Sequence, residues 1–323
     1  MEAYKQLRRS VVWAIGAGIL IYAGFGLYAE LGSVLRDLAS FSWWLLVPAL
    51  ALSSCNYAVR FFRWQILLTR VEIHVPWRAS LSIFLAGMAM TLTPGKVGEL
   101  LKSWLLKEQF GTPLTRSAPV VVVERMTDLL ALVVIAGLGV GRYYEQGTAT
   151  VAVLGAGLTL AIVIAAYQPL AHGVFGVLAR LPGGGQISSR LREVYTSARV
   201  LLAVGPLVMG TVLGVLAWGL ECAGLWVILT GSGVSAAPLV TNFIYAFSTL
   251  AGVVSPGGLG VTDGLLVILM VQLLPNVSRS LAVASAFVIR LCTLWFAVAV
   301  GAWALLRFDA QHPPSPPGPA GSH

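Results

Sequence analysis

The chain has 323 residues, of which 57% are hydrophobic and only 11% charged, and its formal net charge is +8. Soluble domains carry about 25% charged residues; this charge content and a mean hydropathy of +0.84 exclude a soluble globular protein and assign the cations to cytoplasmic loops beside membrane spans, with no nucleic-acid partner. Cys55, Cys222 and Cys292 all lie in apolar runs without metal or redox spacing, so they read as small hydrophobes and not as a disulfide framework.

Lys5, Arg8 and Arg9 precede an apolar run from Val11 to about Ala29. That run is longer than the ~7–15 residues of a signal-peptide core and no small-residue cleavage site follows, so it predicts a retained anchor helix. About 20 apolar residues cross a bilayer core, and on that criterion the further predicted spans are 42–59, 117–140, 150–167, 206–229 and 281–305. Trp43 and Trp44 are predicted belt residues. Arg60, Arg63 and Trp64 follow the second span and read as an interfacial anchor, with a gate for anionic lipid heads as the alternative. The segment 168–204 mixes Arg180, Arg190, Arg192, Glu193 and Arg199 with Leu and Val; it predicts an amphipathic helix on the cytoplasmic surface or a solvated connector. The end, 309–323, is Pro-rich and predicts a disordered tail.

Two apolar segments, 79–93 and 238–254, end at related strings. The first is Thr93-Pro94-Gly95-Lys96-Val97-Gly98-Glu99 and the second Ser255-Pro256-Gly257-Gly258-Leu259-Gly260-Val261-Thr262-Asp263. Each carries Pro-Gly-x-x-Gly and leads to a carboxylate. Each is followed by an arginine deep in the next apolar run: Arg125, 31 positions after Pro94, and Arg290, 34 after Pro256. Pro and Gly release backbone groups from helical bonding, and in hydrocarbon such groups need protein or cavity water. Each break is followed by a second piece, 97–110 and 262–274, so both pairs are predicted to be broken, re-entrant segments that enter and leave on one side.

With a cytoplasmic N-terminus, that topology puts 15 of the 21 Lys and Arg residues inside, among them Arg60, Arg63, Lys102 and Lys107; only Arg36, Arg142 and Arg279 lie outside, the bias the positive-inside rule describes. Three crossings separate the breaks, which therefore open on opposite sides. The expectation is an all-α polytopic bundle: a single transmembrane domain over 1–308 with two inverted repeats, about 42–141 and 205–306. Sites in such folds lie at the repeat interface, near the midplane.

Charged side chains inside spans usually face a cavity or one another. Glu124 and Asp128 are four apart on one helical face, with Arg125 about 100° around it. Glu221 sits in the middle of its span without a local cation. One reading is a set of structural ion pairs. The other is a polar chamber for a charged head group, with Arg125 and Arg290 as phosphate contacts because a guanidinium is a planar fork of donors. Lys96 adds a cation, and the half-helices that start near Gly98 and Thr262 direct N–H groups and a positive dipole end at an anion. The glycines of the breaks, Gly95, Gly98, Gly257, Gly258 and Gly260, belong to that chamber. Glu99 and Asp263 either cap the new helices or contact a substrate cation or a coupling proton. No P-loop, dinucleotide fingerprint or His/Cys metal cluster is present, so no cofactor, metal or catalytic residue is predicted.

Arg63-Trp64-x-x-Leu67-Leu68, the two Pro-Gly strings and Glu124-Arg125-x-x-Asp128 resemble the flippase-like membrane domain of bacterial lysylphosphatidylglycerol synthases, which also occurs alone in YbhN-like and AglD-like proteins. The resemblance covers about residues 10–306. The family commonly has arginine where Lys96 stands and glutamate near Asp263; both departures keep the charge. The synthases add a soluble aminoacyl-transferase domain, and the resemblance here is to the membrane half without it. It implies a multi-pass protein of the plasma (inner) membrane, both termini cytoplasmic, that moves a phospholipid or polyprenyl-phosphate-linked lipid between leaflets. The alternatives are an intramembrane lipid-modifying enzyme, with Glu124 and Asp128 as acid and base, or a subunit presenting lipid to a separate synthase. The expected partners are a lipid with a charged head group and either a second copy of the chain or a lipid-synthesising enzyme.

Overall fold

Proline and glycine mark where the helices begin and end. The computed structural model describes residues 24, 31–93, 98–168 and 184–311. Among the described residues there is no strand, and twelve α-helices follow in order. They are α1 Leu31–Ser40, α2 Leu46–Arg70, α3 Trp77–Met88, α4 Leu101–Phe110, α5 Leu114–Tyr143 and α6 Thr148–Ala166. After these come α7 Gly184–Leu201, α8 Val204–Gly231, α9 Pro238–Ala251, α10 Val261–Leu273, α11 Arg279–Arg290 and α12 Phe296–Gln311. Pro238 opens α9 at a position where its missing N–H costs nothing. Gly111 closes α4 with φ 66°, the left-handed turn that favours glycine. The Ser278 hydroxyl accepts the Leu281 N–H at 3.1 Å and caps α11.

Among the described residues, five helical stretches are long and apolar enough to cross a membrane: Trp43–Arg70, Thr148–Ala165, Val204–Gly231, Pro256–Leu273 and Arg279–Phe308. The 30-residue α5 matches the span predicted at 117–140 and carries Glu124, Arg125 and Asp128 in its middle. The first predicted span, at 11–29, lies outside the described residues except Gly24, and most of the Pro-rich tail lies outside them too. Residues 31–40, which carry Arg36 of the predicted outer side, form α1, which packs on α11; ten residues are too few to register as a span. Within 168–204, α7 lies along α5 with Ser188, Ser197 and Leu201 buried and Arg190, Arg192 and Arg199 exposed.

The two halves repeat one order of elements. In each, a long helix (α2, α8) leads to a short helix (α3 of 12 residues, α9 of 14), a break, another short helix (α4 of 10, α10 of 13) and a second long run. The long runs are α5 and the stretch Arg279–Phe308, each of 30 residues. The contacts are exchanged between halves: α3 packs on α12 and α9 on α5, while α2 and α8 pack on each other. At ~1.5 Å per residue none of the four short helices alone reaches across a ~30 Å hydrocarbon core; α10 is long enough to count as a crossing stretch only together with the turn Pro256–Gly258 before it.

Small residues let the long helices approach. A Cβ on Gly210 of α8 would stand 2.9 Å from Thr127 Cγ2, and one on Gly214 would stand 3.0 Å from Ala131 Cβ, both on α5. A Cβ on Gly301 of α12 would lie 2.6 Å from the Met88 carbonyl carbon and 2.8 Å from Ala89 Cα. Backbone cannot yield there as a flexible side chain could. Gly301→Val is expected to cost about 1–3 kcal/mol of stability. Gly219→Ala, in open helical space, should gain about 0.5–1 kcal/mol. Thermal unfolding of the purified protein in one detergent checks both signs.

Candidate functional site

The fourth and fifth turns of α2 aim polar side chains inward. Asn56, Arg60 and Arg63 are spaced by four and three residues and are all buried, Arg63 fully. On α5, Glu124 and Asp128 project from one face toward them. Arg63 Nη2 stands 2.6 Å from Asp128 Oδ1, and Arg125 Nη1 stands 3.0 Å from Asp128 Oδ2. Glu99, at the start of the second piece of the first half, meets three cations from three helices: Arg60 at 3.6 Å, Lys102 at 3.3 Å and Arg125 at 3.3 Å. Lys102 Nζ also stands 2.5 Å from Glu124 Oε2, and it lies 4.6 Å from the Trp64 ring centre. The lysine stem passes over Gly87, where a Cβ would collide with Lys102 Cγ.

These positions correct the sequence reading of three cations. Arg60, Arg63 and Lys102, counted as cytoplasmic from sequence, are instead buried inside the bundle, which lowers that predicted count from 15 to 12. Trp64 is likewise fully buried, its indole N–H donating to the Ser80 hydroxyl at 3.2 Å, so the interfacial-anchor reading of Arg63 and Trp64 does not hold. Helix α2 continues to Arg70, and the paired carboxylates of α5 make the charges tolerable where the hydropathy signal fails.

The second half repeats the arrangement with fewer charges. Asp263, in the first turn of α10, takes the Gly260 N–H on Oδ2 at 2.9 Å and faces Arg290 Nε from Oδ1 at 2.9 Å. It thus caps its helix and pairs with the arginine of the next helix, as Glu99 pairs with Arg125. Arg290 Nη2 also donates to the Gly257 carbonyl at 2.5 Å. Gly257, Gly258 and Gly260 have φ of 60°, 75° and 82°, backbone that a side chain would strain. In the first half the Thr93 hydroxyl accepts the Gly98 N–H at 2.8 Å, holding the two sides of that break together. Gly95 and Lys96 lie outside the described residues.

The two breaks meet. A Cβ on Gly257 would stand 2.9 Å from Leu92 Cδ2 and 3.5 Å from Leu92 Cα, and Leu92, Leu259, Leu294 and Val298 form one apolar cluster. Beside it is a cavity of about 110 Å³, counted as room for the centres of water molecules. Thr91, Thr93, Arg125 and Asp128 line it from the first half, and Glu221, Gly257, Gly258 and Arg290 from the second. The Tyr245 hydroxyl, also in the wall, donates to Glu221 Oε2 at 2.7 Å. Of the predicted site residues, Arg125, Asp128, Glu221, Gly257, Gly258 and Arg290 therefore face one space. Glu99, Glu124, Asp263, Arg60 and Arg63 stand behind it, and Gly98 and Gly260 start the half-helices. Sequence reasoning missed Lys102, Tyr245 and Thr293. Lys102 had a signal: it lies three residues after Glu99 on a new helix, the spacing of a helical ion pair.

Five cations (Arg60, Arg63, Lys102, Arg125, Arg290) and five carboxylates (Glu99, Glu124, Asp128, Glu221, Asp263) are gathered here. Among the described residues no group of three or more metal-ligating side chains is arranged to hold an ion; Glu99, Glu124, Asp128 and Asp263 face cations, and Glu221 takes the Tyr245 hydroxyl. Removing one member of such a set leaves an uncompensated charge. Lys102→Met alone is expected to cost about 3–5 kcal/mol, and adding Glu124→Gln should recover part of that loss. Unfolding of the two single variants and the double variant in mixed micelles checks the sign of the coupling; strictly additive losses would contradict a pair.

The sequence profile of the family described as "Lysylphosphatidylglycerol synthase TM region" matches residues 15–301. Two curated proteins of Methanothermobacter thermautotrophicus, both named "UPF0104 membrane protein", are similar to the chain. One is 26% identical over 292 residues, covering 82% of this chain and 86% of its own length. The other is 23% identical over 297 residues, covering 83% and 85%.

Proposed function

We propose that this chain, which belongs to the lysylphosphatidylglycerol synthase TM region family, moves an amphipathic lipid between leaflets, its head group passing through the cavity while its tails stay in hydrocarbon. The observation that carries this reading is the shared wall: both breaks and the ionised side chains of both halves line one space inside an apolar bundle. A polar group without partners costs several kcal/mol in an apolar medium. A chamber already furnished with N–H donors and carboxylates lowers that cost for a head group.

The repeat geometry supplies a means of alternating access. Each break is flanked by two short helices that pack on each other, α3 on α4 and α9 on α10, as expected for segments that return to the side they entered. Taken as inverted repeats, the halves expose the cavity to opposite sides as they rock. Arg125 and Arg290 bind the phosphate. Glu221, Asp128 and the carboxylates behind them hold an amino or sugar portion or a coupling proton. Lys96 and Gly95 stand next to this wall in sequence, and Arg60 and Arg63 gate it through Glu99 and Asp128. The remaining cationic bias supports a cytoplasmic placement of both termini.

The test is translocation of fluorescent phosphatidylglycerol, and in parallel of a fluorescent polyprenyl phosphate, in vesicles containing the protein. A charge-assisted hydrogen bond is worth about 1.5–3 kcal/mol, so Arg125→Ala and Arg290→Ala should each slow translocation by roughly 10–100-fold while circular dichroism stays helical. Full activity in both variants rules out the binding role.

A further inference from the structure

Among the described residues, the second break takes a hydrogen bond from one side chain of a long run, Arg290, besides the cap that Asp263 of α10 makes on Gly260. Its backbone makes short local bonds: Ser255 N–H to the Gly252 carbonyl, Gly258 N–H to Ser255 and Leu259 N–H to Pro256, each at 3.0 Å. Among the described residues, the hydrogen bond that ties 255–260 to a long helix is the one from Arg290 Nη2 to the Gly257 carbonyl. The three glycines with positive φ lie around that carbonyl. Thr262 is wedged against Gly252 and Gly258 and is buried under the loop, lining the same cavity.

Arg290 itself stands at a weak point of its helix. Helix α11 ends at Arg290 and continues as a π turn, Leu291–Trp295, before α12. A π turn carries one residue more than the α-helix allows and often marks a functional position. Here Thr293 and Leu294 of that turn line the cavity, and the Tyr57 hydroxyl of α2 donates to the Thr293 carbonyl at 3.1 Å.

We propose that Arg290 is a latch that an anionic head group releases. This rests on the transport reading of the cavity. The guanidinium has five N–H donors in a fork. On its Nε side it faces the Asp263 carboxylate; on its Nη2 side it holds only a neutral carbonyl. A phosphate or phosphodiester oxygen is a charged acceptor, and charge-assisted bonds are about twice as strong as neutral ones. A phosphate entering beside Arg125 therefore displaces Gly257 from Nη2 while Asp263 keeps Nε. The freed glycine loop lifts from Thr262, hinging at its own glycines while Arg290 turns at the start of the π turn, and opens the cavity on the side of the second break. Binding and opening are thereby one event, and closing the loop weakens the hold on the phosphate by the same factor.

The reporter is Thr262→Cys in a chain whose Cys55, Cys222 and Cys292 are replaced by Ala, labelled by a membrane-impermeant maleimide in a maltoside detergent. Dihexanoyl-phosphatidylglycerol is expected to raise the labelling rate saturably, by at least about 5-fold. Inorganic phosphate forms the second arm: a rise with both assigns the trigger to the phosphate group, and a rise with the lipid alone assigns it to the lipid head. Arg290→Gln should label fast with neither. The double variant Arg290→Gln with Asp263→Asn keeps the site neutral and provides the same reading if the single variant fails to fold. A wild-type rate unmoved by either anion, or variants that label no faster than wild type, overturns the latch. Labelling reads the loop and not lipid movement. A flat response with intact translocation removes the latch alone, and unlatching without translocation removes the transport reading alone.

Discussion

Glu99 is the point on which the first half is hung. Three cations reach it from three helices, Arg60 of α2, Lys102 of α4 and Arg125 of α5, and all but Arg125 are almost wholly buried. A single charge at this depth would be expelled or neutralised. Several of each sign, within ion-pair distance, fix one another. The cost of desolvating the set is offset only if every member keeps its partners, so the charges specify how α2, α4 and α5 sit more strictly than apolar packing could. The same constraint fixes Glu99, just after the first break, against Arg125 in the cavity wall.

The second half uses the same logic with one pair. Asp263 takes a helix-terminal N–H with one oxygen and Arg290 with the other. The acid after each break thus answers the arginine of the following long helix, 26 and 27 positions on. The halves differ in what surrounds that pair: a dense ionic cluster in one, and in the other a glycine loop tied to the long run by the Arg290 bond and to α10 by Asp263. Rigid and yielding walls on one cavity are what a gated passage needs, and the close helix contacts at Gly210, Gly214 and Gly301 keep the frame around them stiff.

Much of this could be read from the chain. Pro-Gly strings after apolar runs locate the breaks because released backbone is costly in hydrocarbon. Arginines inside the next runs announce an interior partner because they cannot face lipid cheaply. Hydropathy failed where charge was mistaken for a boundary. Arg60 and Arg63 ended a span on paper, yet α2 runs on to Arg70 because Asp128, 65 residues later, and Glu99 supply the counter-charges. Lys102, in the piece 97–110, is counted on the cytoplasmic side from sequence for the same reason. Pairing at that separation has no periodicity to reveal it. The Tyr245 partner of Glu221 and the π turn after Arg290 depend on how helices dock, which no local pattern records.

The central claim is that the two breaks touch and close one cavity. A disulfide needs Cβ atoms about 3.5–4.5 Å apart, and the Leu92 side chain already lies against the place a Cβ on Gly257 would occupy. Leu92→Cys with Gly257→Cys, in a chain whose native cysteines are replaced by Ala, is therefore the most direct measurement. Mild oxidation in native membranes should form the bond within single chains in high yield, read by mass spectrometry of the linked peptides. Failure to form it, with both cysteines still open to alkylation under the same conditions, would contradict the account.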